Sequence, residues 1–74
     1  MKDQRKLLFK CVENEIPAFV LCGTDKLAVR VLEAYCQLAK EENCSELFIN
    51  DLKLLINDYI QFQKEEPEKI KLPD

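Results

Sequence analysis

The chain has 74 residues, a formal charge of −3, four cysteines, one glycine and no histidine. A chain this short forms one domain and hides only about 60% of the surface its unfolded form exposes, so its core is thin. Carboxylates spread from Asp3 to Asp74 leave no basic face to displace counterions from phosphates, which excludes DNA and RNA as partners, and no apolar run approaches the ~18 residues of a membrane span.

Cys11, Cys22, Cys36 and Cys44 are too widely spaced for a CxxC pair, and without histidine no mixed zinc site can form. No secretory signal is expected ahead of them. All four are expected as reduced thiols of a cytoplasmic protein, packing as small hydrophobes. Neither metal nor cofactor is expected.

Residues 1–6, "MKDQRK", read as a polar lead-in. "LLFKCV" then alternates, with Leu7, Phe9 and Cys11 on one side and Leu8, Lys10 and Val12 on the other, the period of a strand. Ile16-Pro17 breaks it, because proline lacks an amide donor and disfavours helical geometry in the residue before it. The apolar "AFVLC" between Pro17 and Gly23 reads as a second strand. Together these predict an antiparallel β-hairpin over 7–22.

Lys26, Arg30, Glu33, Gln37 and Lys40 recur at intervals of four and three, which predicts a helix from Asp25 to about Glu42 with Thr24 or Asp25 as its N-cap. Asn43 suits a left-handed helix stop and Ser45 caps the next helix, so "NCS" is a tight connection. The second helix runs from about Glu46 to Lys64 or Glu65, with Phe48, Leu52, Leu55, Tyr59 and Phe62 as its main apolar stripe. Two helices joined so closely lie antiparallel. After Pro67 the charged "EKIKLPD" reads as an extended tail over 66–74. The expected fold is α+β in the order β-β-α-α, a β-hairpin packed on an αα-hairpin over 24–65.

The apolar residues on both helices spread beyond one face. Val29 and Cys36 widen the surface of the first helix, while Leu47 and Leu54 lie seven apart, off the main stripe of the second. Such a surplus on a small chain points to association, most simply a two-fold homodimer.

The only glycine sits in "CGTDKLA". A helix start offers unpaired amides and partial positive charge, so Gly23, Thr24 and the following Lys26 and Arg30 form a candidate anion pocket. Asp25 opposes that reading, since its carboxylate would occupy the same positive end, and plain strand-to-helix punctuation is the alternative. Catalysis lacks equipment: there is no histidine, Ser45 is a cap, and Asp51, Asp58, Glu65 and Glu66 lie in solvated settings. The chain is not expected to be an enzyme.

With "FVLCGTDKLA", the αα-hairpin and the closing "KLPD", residues 17–74 resemble small single-domain proteins of bacteriophages and gut-bacterial prophages, in which an apolar strand, a Gly-x-Asp turn and a helix follow in that order. In that group an arginine often stands where this chain has Cys22, which leaves the candidate pocket one donor fewer. The resemblance implies residence in the cytoplasm of a bacterial host cell and carries across no established site. Oligomeric phage proteins of this kind resemble the sponge proteins that sequester nucleotide signals of bacterial immunity. On that likeness Gly23, Thr24, Asp25, Lys26 and Arg30 would hold phosphate and Tyr35 or Tyr59 would stack on a base. The alternative is a phage accessory or inhibitor subunit that docks on a host protein through an apolar helix face.

Overall fold

A computed structural model describes residues 3–74. Three helices form: α1 over Gln4–Glu13, α2 over Ala28–Glu41 and α3 over Glu46–Glu65, followed by a short 3-10 turn at Pro67–Lys69. The expected β-hairpin does not form. Among the described residues no strand pair exists beyond an isolated parallel bridge between Asp25 and Lys71, so the architecture is all-helical and not α+β.

The first error is local. Leu7, Leu8 and Cys11 satisfy an i, i+1, i+4 helical spacing as well as they satisfy alternation, and short apolar runs do not distinguish the two. End signals decide it. The Asp3 carboxylate accepts from the amides of Arg5 at 3.0 Å and Lys6 at 3.4 Å, an N-cap inside the stretch expected as a lead-in, of which Met1 and Lys2 lie outside the described residues. At the far end Glu15 takes φ 55°, and the amides of Ile16 and Glu15 return to the carbonyls of Cys11 and Val12. That is a Schellman stop, with Pro17 just beyond it, where proline is common. The expected second strand, Ala18 to Cys22, runs on with Ile16 and Pro17 before it without helix, turn, bend or strand partner.

The αα-hairpin forms as expected in outline. Ser45 Oγ accepts from the amide of Phe48 at 3.2 Å, and Asn43 takes φ 58°, with the Cys44 amide bonded to the Ala39 carbonyl at 2.9 Å. α2 starts later than expected, at Ala28. Cys36, Ala39, Ile49, Leu52 and Ile56 form the core between α2 and α3, and Val29, Leu32, Phe48 and Ile60 pack against it. Cys36 and Val29 are therefore engaged inside the chain, whereas Leu47 and Leu54 stand on the side of α3 turned away from Leu52 and are 74% and 64% exposed. All four cysteines are free thiols.

No residue of α1 is buried. The radius of gyration, 13.6 Å, exceeds the ~11 Å of a compact chain of this length, as an appended helix requires. Among the described residues no helix is long and apolar enough to cross a membrane.

The tail is not free either. After the 3-10 turn the Lys71 amide donates to the Thr24 carbonyl at 3.0 Å and the Lys71 carbonyl accepts from the Lys26 amide at 2.9 Å. This clasps the end of the chain onto the segment that enters α2.

Candidate functional site

The sequence places its anion pocket at Gly23, Thr24, Asp25, Lys26 and Arg30, and the segment leading into it is held from two sides. From α3, the Tyr59 hydroxyl donates to the Leu21 carbonyl, and Gln63 Nε2 donates to the carbonyls of Gly23 at 3.2 Å and Asp25 at 3.0 Å. From the tail comes the Lys71 clasp. Gly23 is needed for close approach: its φ is not positive, but a Cβ there would lie 3.2 Å from Cδ1 of the Phe62 ring.

Anion binding at a helix start relies on amides with no other partner. Here the Asp25 amide donates to the Cys22 carbonyl at 3.0 Å, that of Lys26 to Lys71, and that of Ala28 to the Asp25 carbonyl at 3.1 Å. The Leu27 amide donates to Asp25 Oδ1 at 2.7 Å. A carboxylate thus sits at the positive end of α2, where a phosphate would have to go. Lys26 and Arg30 extend into solvent.

The two candidate stacking rings are apart. Tyr35 meets Phe48 edge-on, with ring centroids 6.3 Å apart, while Tyr59 is bound to Leu21. Phe48 and Tyr59 are eleven positions apart on α3, about 16 Å along the axis. Burial, and secondarily the nearby Cys22 thiol, hold the Tyr59 phenol above its ordinary value of 10.0. It is a donor that stays protonated.

Two of the shallow hollows among the described residues border the core and α1. One, about 390 Å³, lies between α2 and α3 over Cys36 and Ile56 and is rimmed by Glu33, Lys40 and Lys53. The other, about 460 Å³, lies between α1 and residues 18–21, with Tyr59 at its edge. Among the described residues no group of three or more His, Cys, Asp or Glu is placed to hold a metal.

Apolar surface is the more distinctive feature. Among the described residues thirteen large apolar side chains are exposed, against three large ones, Ile49, Leu52 and Ile56, that are buried. Val31, Tyr35 and Leu38 are 45%, 53% and 58% exposed and lie at i, i+4 and i+7, one stripe along α2. Their spacing is visible in the sequence, but only the packed hairpin reveals that this stripe faces outward. Gln63 and Lys71 carry no local signal at all, because their partners lie 38 to 47 positions away.

No family model, no curated protein and no solved structure matches the chain.

Proposed function

We propose that the chain is a non-enzymatic protein-docking module in which the αα-hairpin presents the α2 stripe to an apolar groove or helix of a partner. The observation that carries this reading is the exposed Val31, Tyr35 and Leu38, arranged at the spacing by which a single helix face anchors in a partner. Tyr35 is the expected central anchor, since its ring is braced by Phe48 and rigid aromatic side chains dominate binding energy at interfaces. Leu47 and Leu54 give α3 an outward ridge of its own. A nucleotide-sequestering role has less support, because the amides from Asp25 to Ala28 already bond within the chain and the Asp25 carboxylate lies at that end of α2.

Affinity purification of the tagged chain from its native cell tests the reading. Leu38→Lys and Tyr35→Ala are expected to lose a protein that co-purifies with the wild type, with melting temperature little changed. Retention of that protein by both variants overturns the docking face. A rise in melting temperature with a member of a nucleotide panel would favour the sponge instead, since a ligand of the folded state stabilises it.

A further inference from the structure

The stretch between α1 and the clasped segment is an unpaired, unbent run of apolar residues, "PAFVL", at the surface. We infer that it is a strand-pairing site for a second copy of this chain, joined antiparallel about a two-fold axis at Phe19. Among the described residues nothing bonds the amide or carbonyl of Ala18 or Val20. The same is true of Phe19 between them, but the flanking residues are partly committed: Pro17 has no amide hydrogen, the Ile16 amide donates to Cys11, and the Cys22 carbonyl accepts from Asp25, while the Leu21 carbonyl accepts from Tyr59.

In an antiparallel pair, residues alternate between those that exchange both backbone bonds and those that exchange none. Two-fold pairing with Phe19 opposite Phe19 in a non-bonded position puts Ala18 opposite Val20, so the free amides and carbonyls of Ala18 and Val20 in one copy meet those of Val20 and Ala18 in the other. The next bonding pair would join Ile16 to Cys22, where the Ile16 amide and the Cys22 carbonyl are already engaged, so that pair can form only one of its two bonds. Centring the axis on Ala18 or Val20, or making Phe19 a bonded pair, calls on Pro17, Ile16, Leu21 or Cys22. The backbone therefore complements itself most fully in this register, since each alternative loses one bond from its flanking pairs. The Leu21 carbonyl turns toward Tyr59 of α3, and in an extended run the Phe19 groups share that side, opposite to those of Ala18 and Val20.

Side chains agree. Phe19 is 80% and Val20 65% exposed, and facing aromatic residues across a non-bonded pair stabilise such a ribbon. An apolar strand with open backbone groups otherwise invites uncontrolled pairing. A two-fold partner closes it.

Sedimentation of the full chain at micromolar concentration is expected to give a dimer. Val20→Pro removes a donor from each copy and should raise the dimer dissociation constant about tenfold or more, with helical circular dichroism retained. Phe19→Asp places like charges face to face and should dissociate the dimer without relying on a proline. In a background with Cys11, Cys22 and Cys44 changed to serine, Phe19→Cys should oxidise readily to a covalent dimer, since facing non-bonded Cα atoms lie about 4.5 Å apart. Two Cys22 residues would be roughly 20 Å apart in this register and should not cross-link. A monomer throughout, a dimer that withstands both Val20→Pro and Phe19→Asp, or one lost only on Leu38→Lys overturns the inference. The last result would still leave the α2 docking face standing.

Discussion

The Tyr59 hydroxyl of α3 donates to the carbonyl oxygen of Leu21, thirty-eight positions earlier in the chain. This bond ties the apolar segment behind α1 to the αα-hairpin, from a phenol that burial keeps protonated.

Tyr59→Phe leaves the Leu21 carbonyl without that donor and should cost about 1 kcal/mol, a fall of roughly 4–8 °C in melting temperature for a domain of this size. The pH dependence has a definite sign. An acid that holds its proton more tightly when folded than when unfolded supports the fold fully below its unfolded value and loses that support as pH rises through the raised folded one. The Tyr59 contribution should therefore fade on the alkaline side of 10.0. Thermal melts of wild type and Tyr59→Phe from neutral to alkaline pH should converge; parallel curves would contradict this.

Gly23→Ala sets a methyl group 3.2 Å from the Phe62 ring. The ring must shift, and urea unfolding should show a loss of about 1 kcal/mol, the low end of overpacking. In a Phe62→Leu background most of that loss should vanish. An equal loss in both backgrounds would mean that the backbone, not the ring, limits this position.

Lys71→Pro removes the amide that donates to Thr24. Because Lys26 shares the clasp, its amide exchange with solvent should quicken on the order of tenfold, the factor corresponding to a single lost hydrogen bond. Exchange within the centre of α3 should be unchanged, as measured by residue-resolved hydrogen exchange.

Leu52 and Leu54 are two positions apart but only 4% and 64% exposed, respectively. Leu52→Ala should destabilise by about 3 kcal/mol through the cavity it leaves, whereas Leu54→Ala should stay within about 0.5 kcal/mol. Chemical denaturation of the pair measures how deep the thin core is.

The parts legible in the sequence are those whose signals are local. Ser45 and Asn43 mark their helix ends by side-chain chemistry alone, and the i, i+3, i+4 polar rhythm from Lys26 to Lys40 identifies a helix without a partner. The stretch from Leu7 to Val12 misleads because its apolar residues fit both periods. The deciding signs, Asp3 ahead of it and a stop before Pro17, lie at its borders. Gly23 shows the opposite limit. Its reason for being glycine is the ring of Phe62, a neighbour that exists only once α3 has folded back. The same holds for the candidate pocket, where the four amides from Asp25 to Ala28 are engaged by oxygens of Cys22, Asp25 and Lys71.

Because Lys71 lies against Thr24 and Lys26, the body from residue 24 to residue 71 is nearly a closed circuit. A short peptide linker across that gap, with new ends opened in the connection at Asn43 and Cys44, would give a circular permutant that keeps α2 against α3 while releasing α1 as a separable piece. The order in which the two helices are synthesised is then immaterial to how they pack.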